Sequence, residues 1–515
     1  MSKRARIIAG ALLAVIAVCA IAVVFTLRAL EPRMHDWVTS NLSKALDSEI
    51  ELGAVHVAWM PLQLHAHDLT VRHHGRTDIP PLLIVKSFIV DLKPWDLRSS
   101  TIERVWVDGL EVSIPPKDPE TGKRPIPRGS GGADGGGDES GMVIRHLIAT
   151  NTRMTVVPGD PNKEPKVWDV AALEMKNLRS GEPATFTASV NNPIPEGRIE
   201  ASGKFGPWQP GEPRTTALSG EYTFDADLGT INGLAGKLGA IGTMAGTIEQ
   251  ITTKGQTKTP DFRLTELDGA SLPLHTAYDA VVNGTKGDVE LKHVDVTLGK
   301  SKFDIRGLVE GTKGIKGKRV VVNVKSSAAS LGELLRFVSK AQPAAEGTLI
   351  IDAAMDLPQG KQKVLERVAL QGSVRAERVK FSKDVVQDKI DDLSRKGQGR
   401  PEDTSIDEVA SQLAGQFSLQ NGMFTYRGLS FNIQGAAVQL DGTHSLRSKA
   451  VDLSGVALLE ATMSQTQTGY KSWLLKPFDP LFRKNGAGTR LAIKVAGTQD
   501  HPKIALEIGR TLKGK

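Results

Sequence analysis

The chain has 515 residues, 52 of them glycine, with an aromatic content of only 5% and a formal charge of +7. That length holds two to four compact domains or one long repeat body, and glycine richness with few aromatics favours a turn-rich chain lined by small aliphatics. Lys3, Arg4 and Arg6 crowd the extreme N-terminus and leave +4 on the remainder, too little for a nucleic-acid footprint, and no recognition motif for one is present. Cys19 is the only cysteine, which excludes an intrachain disulfide and any cysteine-based metal site.

Ile7 to Leu27 carries no charge over 21 residues. As a helix rising about 1.5 Å per residue it spans roughly 31 Å, the thickness of a bilayer's hydrocarbon. The run is long for a cleaved signal peptide and no small-x-small site closes it, so a retained single-pass anchor is expected. The basic residues before it orient the N-terminus to the cytoplasm and put everything after Arg28 on the far side. Leu30, Met34, Trp37, Val38, Asn41, Leu42, Ala45 and Leu46 then recur at helical spacing, which predicts a helix leading from the membrane.

From Glu51 the period changes to two, with Val55, Val57 and Trp59, then Leu62 and Leu64, then Leu69 and Val71. Further strands are expected at Ser87 to Leu92, Arg104 to Asp108 and Leu110 to Ile114, and their brevity without intervening helices points to an antiparallel meander. His56, His65, His67, His73 and His74 cluster here, and His65-x-His67 puts two imidazoles on one strand face. A metal site and a solvated polar face compete for that pattern. Gln63 shares the face and no carboxylates stand at ligand spacing, so no metal is expected.

Pro115 to Gly141 is rich in Pro, Gly and charge, the composition of a linker. It fits no phosphate-cradling register, and the lone G-x-x-x-x-G-K at Gly509 to Lys515 lacks both the Ser/Thr and a following helix, so no cofactor is expected. From Met142 to Leu357 strand signals dominate, with charges such as Lys204, Glu221 and Asp304 on the outer phase, and only Leu331 to Lys340 looks helical. Helices return at Lys383 to Lys396, where Val385, Val386, Ile390 and Leu393 line one side, and again near Ser405, which with Glu408 forms a capping-box pattern.

Ser411 to Leu440 holds the clearest hairpin signal. Asn421-Gly422 suits the two positive φ angles of a type I′ turn, which pairs Gln420 with Met423, Leu419 with Phe424 and Phe417 with Tyr426 and gathers the apolar side chains on one face. An apolar-x-Gly-x-apolar pattern recurs at Ala201 to Phe205, Leu218 to Tyr222, Met244 to Ile248, Ile305 to Val309, Leu370 to Val374, Ile433 to Ala437 and Leu453 to Ala457. Glycine on the apolar phase of a strand lets a long sheet curl around that side.

The expected fold is therefore mainly β: an elongated, curled antiparallel sheet of β-groove type with an N-terminal transmembrane helix and a few short helices. The expected organisation is an anchor at 1–28, a helix and the start of the groove at 29–114, a linker at 115–141, a central groove at 142–360, and a C-terminal β region at 361–515 with a helical insertion at 383–411. About 25 strands stacked at about 4.8 Å would reach roughly 120 Å.

Three runs carry a resemblance: VQDKIDDLSRKGQGRP (386–401), FSLQNGMFTYRGLSFNIQGAAVQLDGTHSL (417–446) and KSWLLKPFDPLFRKNGAGTRLAIKVAGTQDHPKIAL (471–506). They resemble the C-terminal region of AsmA-like proteins of diderm bacteria, and GKFGPW (203–208), GEYTFDADL (220–228) and TPDF (259–262) look like the middle of members of that family. The resemblance implies an inner-membrane anchor, a periplasmic β-groove related to bridge-like lipid-transfer proteins, and no catalytic residues. The chain is much shorter than the relatives thought to span the periplasm.

The leading expectation is a non-enzymatic protein whose apolar face shelters phospholipid or other acyl lipids, with Leu413, Phe417, Leu419, Phe424, Tyr426, Leu453, Leu491, Ile493 and Val495 inside the groove. Alternation alone fits a filled core as well as an open groove. The alternative is an envelope-assembly factor that offers sheet edges to outer-membrane proteins. A distal envelope protein is a further expected partner in either case. No G-x-S-x-G, no H-E-x-x-H and no cysteine nucleophile outside the apolar N-terminal segment speaks for an enzyme.

Overall fold

The computed structural model describes residues 43, 48–59, 62–73, 80–91, 93, 101–114, 143–156, 166–179, 181–207, 215–284, 287–311, 317–340, 342–360, 362–382, 384–482, 488–499 and 501–506. The expected span Ile7 to Leu27 and linker Pro115 to Gly141 lie outside these residues, as does the helix expected at Leu30 to Leu46 apart from Ser43. Among the described residues no helix is long and apolar enough to cross a membrane. Strands take up 68% of the described residues, so the protein is mainly β, and the pairing is mostly antiparallel and not closed on itself.

The strands are β1 Ser48–Glu51, β2 Val55–Trp59, β3 Leu62–His73, β4 Leu83–Asp91, β5 Thr101–Ile114, β6 Val143–Val156, β7 Lys166–Arg179, β8 Ala184–Pro193, β9 Glu196–Phe205, β10 Ala217–Asp227, β11 Leu234–Ala235, β12 Lys237–Thr247, β13 Gln250–Leu264, β14 Leu272–Asn283, β15 Asp288–Leu298, β16 Ser301–Glu310, β17 Arg319–Ser330, β18 Ala345–Leu357, β19 Ala369–Phe381, β20 Ser411–Gln420, β21 Met423–Ile433, β22 Ala436–Ser445, β23 Ala450–Leu459, β24 Thr489–Thr498 and β25 His501–Leu506. The α-helices are α1 Leu331–Val338, α2 Val364–Arg367, α3 Asp384–Gly397, α4 Gly469–Leu475 and α5 Asp479–Phe482. The chain forms two compact units, one of Met1–Asp227, Leu238–Gly255 and Val281–Gly287, the other of Leu228–Lys237, Gln256–Ala280 and Asp288–Lys515.

In the first unit β1 and β2 both pair with β3, and antiparallel pairing continues from β3 to β5 and from β6 to β10. The meander expectation fails at one place: β5 and β6 are parallel, from Thr101 beside Val143 to Ile114 beside Val156. A parallel pair needs a crossover rather than a hairpin, and the chain must come back along a strand roughly 45 Å long. Arg104 to Ile114 is also one strand instead of two. Gly109 takes φ 63° within it, a local kink that keeps the register with both neighbouring strands, and Val107 and Leu110, three residues apart on either side of it, are both buried at 4% exposure.

That core is sealed. Leu69, Val90 and Val105 have no exposed surface, and Leu64, Ala66, Val71, Val85, Phe88, Ile102, Ile144 and Leu147 pack with them. Further along the unit the same face is only half covered. In β9 the inner phase of Gly197, Ile199, Ala201, Gly203 and Phe205 is half-buried throughout, while Glu196, Arg198, Glu200, Ser202 and Lys204 alternate with it in solvent. The glycine expectation has a concrete counterpart at Gly203 and Gly220, which face each other across β9 and β10. A Cβ on either would stand 2.0 Å from a carbonyl oxygen of the neighbouring strand. The repeat at Ile433 to Ala437 is different: its Gly435 takes φ 83° in the turn between β21 and β22 and is not a strand glycine.

In the second unit β15 to β25 form one antiparallel ladder in sequence order. The expected helix at Leu331 to Lys340 is α1, whose N-cap Ser330 accepts from the Glu333 amide at 3.4 Å. Leu331 and Leu334 of α1 pack on a buried cluster of Ala329, Ala345, Leu349, Ala376 and Val379. The helix at Lys383 to Lys396 is α3, tied to the β21–β22 turn by the Ser394 hydroxyl, which donates to the Gln434 carbonyl at 2.8 Å.

The second helix of this insertion does not form. Residues 401–410 are turns and bends, because Asp391, 1% exposed on α3, draws the backbone inward: its Oδ2 accepts the Glu408 amide at 3.1 Å and its Oδ1 the Val409 amide at 2.9 Å. Ser405 spends its hydroxyl on Asp403 Oδ1 at 2.5 Å instead of capping a helix. Asp391→Ala leaves the Val409 amide without its acceptor and the Glu408 amide with Asp407 Oδ1 alone, and is expected to destabilise the protein by about 2–3 kcal/mol. Chemical denaturation measures the loss, and hydrogen exchange should place the fastest-exchanging new amides at Glu408 and Val409.

Candidate functional site

The hairpin read from Asn421-Gly422 is present as expected. Asn421 and Gly422 take φ 52° and 73°, and Gln420 faces Met423, Leu419 faces Phe424 and Phe417 faces Tyr426. Following these pairs through their neighbours yields two adjacent rows that cross every strand from β15 to β25. One is Val294, Ile305, Val324, Ala353, Gly372, Phe417, Tyr426, Gly442, Leu453, Val495 and Ile504. The other is Leu291, Gly307, Val322, Met355, Leu370, Leu419, Phe424, His444, Val451, Gly497 and Pro502. Only Tyr426 and His444 bring side-chain polar atoms to this double row, which at about 4.8 Å per strand runs roughly 48 Å.

All nine residues expected in the groove lie on this face. Phe417, Tyr426, Leu453 and Val495 are in the first row, Leu419 and Phe424 in the second; Leu413 joins the face through Phe431, Val438, Ala457 and Leu491, and Ile493 through Gly455 and Leu440. Leu419 and Ile493 are buried, at 3% and 7% exposure, and the other seven are half-buried. At the β25 edge the face is open: Ile504 is 72% and Leu506 56% exposed. The opposite face is wet, with Gln412, Gln416, Arg427, Gln439 and Asp452 in solvent and Lys494 Nζ 3.4 Å from Asp452 Oδ1.

The reading from sequence missed Phe431, Val438, Leu440, Ile504, Leu506 and His444. Alternation carries the signal for the first three, but one extra residue in β21, between Tyr426 and Leu429 and opposite Ala414 to Gln416, shifts the phase within that strand. Gly428, at φ 56°, absorbs the extra residue, so Tyr426 and Leu429 share a face despite their odd spacing.

Aromatic rings concentrate where the two rows meet. Phe424 stacks on Tyr426 with centroids 5.8 Å apart and on His444 at 6.4 Å, and meets Phe417 tilted at 6.1 Å. Phe417 stands opposite Gly372 and Tyr426 opposite Gly442, so a large ring adjoins each bare backbone. Burial pushes the Tyr426 phenol above its ordinary pKa. Burial likewise holds the His444 imidazole below its ordinary value, partly offset by a hydrogen bond with Gln499, while Nε2 has no hydrogen-bond partner among the described residues. His444 is thus a neutral ring in an apolar row at neutral pH.

The folded chain consequently binds fewer protons at His444 than the unfolded chain in mild acid. Stability should fall as the pH drops through about 6.5, the ordinary imidazole value, and this contribution should level off below the lowered folded value. Denaturation midpoints at pH 7.5 and 5 are expected to differ less in His444→Leu than in the parent.

Of the histidines singled out at the start of the chain, His65 belongs to a polar chain. His65 Nε2 lies 2.9 Å from Gln63 Oε1, and the Gln63 amide donates to Asp91 Oδ1 at 2.7 Å. A grouping that sequence reading missed is His293 with Asp295 and Asp304. His293 turns Nδ1 to Asp304 at 2.7 Å and Nε2 to Asp295 at 3.2 Å, and Arg306 Nε lies 3.2 Å from the same Asp304. With both ring nitrogens facing carboxylates and a guanidinium beside them, the group has the make-up of a surface ion-pair network.

No protein-family model matches the chain, and no curated protein matches it. The chemistry of the double row is therefore the guide to what it could hold. A long, half-covered aliphatic strip with few directional groups suits a flexible hydrocarbon, which gains up to about 0.8 kcal/mol for each methylene removed from water and is free to slide because that gain is nondirectional.

Proposed function

We propose that this protein shelters the acyl chains of phospholipid or a similar lipid on the apolar face of its sheet and passes them along it, without catalysis, as part of cell-envelope lipid homeostasis. The observation that carries the reading is the double row of β15 to β25: apolar across eleven strands, half-buried over most of its length and open at Ile504. The curl that would turn this face into a trough is part of the proposal, supported by the glycines that face neighbouring backbones at Gly307, Gly372, Gly442 and Gly455. Placement at a bacterial inner membrane, with the N-terminus cytoplasmic and the body periplasmic, rests on Ile7 to Leu27 and the basic residues before it. The resemblance to AsmA-like proteins points the same way.

A second reading has its own observation. All six residues of the edge strand β25 are exposed, and an exposed edge accepts a strand from another chain, as an envelope-assembly factor would require. Native mass spectrometry of the full-length chain released from mild detergent separates the two. Acyl-lipid adducts support the first reading; an adduct of unfolded outer-membrane polypeptide with no lipid supports the second and overturns the first.

A further inference from the structure

The connection between β23 and β24 carries an exposed tryptophan next to an exposed leucine. Trp473 is 71% and Leu474 52% exposed, side by side on α4, while Ser472 and Leu475 of the same helix are half-buried. Lys471 and Lys476 flank the pair in solvent. No Asp or Glu occurs between Glu460 and Asp479, and Arg483 and Lys484 follow in the sequence. The one carboxylate within this stretch, Asp479, is engaged: it accepts the Ser464 amide and hydroxyl, each at 2.8 Å.

The base of this connection is fixed. Ser464, Thr466 and Thr489 are buried at 3%, 6% and 0% exposure. The Thr489 hydroxyl donates to the Ala461 carbonyl at 2.8 Å, and the Ala461 amide donates to the Gly397 carbonyl at the end of α3, also at 2.8 Å. These bonds anchor the chain on both sides of the exposed Trp-Leu pair.

We infer that α4 and the turn after it are a membrane-docking tab for the surface of an anionic phospholipid bilayer. Trp473 and Leu474 enter the headgroup boundary, the depth at which an amphipathic indole resides. Lys471 and Lys476 remain at the phosphates, where each basic residue contributes about fivefold to partitioning. The charge balance selects the occupant: a cationic rim around an apolar pair complements a negatively charged lipid surface. The tab does not depend on lipid lying on the double row, since it uses different residues.

The test holds the full-length chain in phosphatidylcholine nanodiscs, with Cys19→Ser and Thr468→Cys carrying an NBD fluorophore beside the tab. Vesicles of phosphatidylglycerol and phosphatidylcholine containing a doxyl-labelled lipid are then added, so that quenching reports contact with the vesicle alone. The expected result is saturable quenching, with about tenfold or more lipid needed when phosphatidylglycerol is left out or 0.5 M NaCl is added. Trp473→Glu should abolish it and the pair Lys471→Glu with Lys476→Glu should weaken it at least about 25-fold, with circular dichroism confirming that the sheet persists. Absence of quenching, as a protein partner for this surface would give, overturns the inference. So does quenching undiminished in both variants, or equal quenching of a fluorophore at Gln439→Cys on the solvated face.

Discussion

Phe417→Asp is expected to strip the chain of most of its bound acyl lipid, while Gln416→Asp leaves it loaded. The two positions are consecutive in β20 and point to opposite faces: Phe417 stands in the first apolar row between Gly372 and Tyr426, and Gln416 is in solvent beside Arg427. A carboxylate in the row has no cation within the two rows to pair with, and holding hydrocarbon against an unpaired charge forfeits its hydration. A cost of only about 1.4 kcal/mol already lowers occupancy tenfold at subsaturating lipid. Phe417→Leu keeps the surface apolar and should keep the lipid. Native mass spectrometry of the three variants, with thermal unfolding to confirm that each is folded, reads the difference. Equal lipid in Phe417→Asp and Gln416→Asp would mean that the lipid lies elsewhere.

The second large effect is on the sheet itself. Gly220→Val should unfold the first unit or prevent its formation, whereas Ser219→Val next to it should be tolerated. Ser219 is exposed on the outer face, where a β-branched residue suits a strand. Gly220 lies opposite Gly203, and a Cβ there would stand 2.0 Å from the Ser202 carbonyl oxygen and 2.9 Å from the Gly203 Cα. Backbone atoms cannot swing aside as a side-chain tip does, so the strands must part and ladder hydrogen bonds stretch. Overpacking of this kind costs about 1–3 kcal/mol and more when the obstacle is backbone, a large share of a domain's net stability of about 5–15 kcal/mol. Soluble yield and the urea midpoint are the readouts. A Gly220→Val protein with the parent's midpoint would show that the close approach of β9 and β10 is not required.

Much of the fold can be read from period and turn chemistry. Asn421-Gly422 fixes a register to the residue, and alternation from Ala201 to Phe205 or Leu218 to Tyr222 assigns faces without ambiguity. The failures have physical causes. The parallel pairing of β5 and β6 leaves no local mark, because a crossover linker and a hairpin loop draw on the same Gly, Pro and polar residues. Ser405 and Glu408 have the spacing of a capping box, but the buried Asp391 competes for the same backbone amides and wins. The candidate face was visible in its nine expected members, yet its extent was not: a bulge resets the phase inside β21, and only the cross-strand pairs join Val294 to Ile504 in one row. Exposure is the least visible property of all. Leu69 and Phe417 both sit on the inner phase of a strand; one is sealed in a core and the other half open, and no sequence pattern separates them.

The most direct test of the central claim is a photo-crosslinking scan along β24 in living cells, with p-benzoylphenylalanine placed in turn at Arg490, Leu491, Ile493, Lys494 and Val495 of the full-length chain. An apolar face that carries acyl chains predicts lipid adducts at Leu491, Ile493 and Val495 and none at Arg490 and Lys494, a period of two that follows the strand. Adducts that ignore that period, or none at any of the five positions, would contradict it.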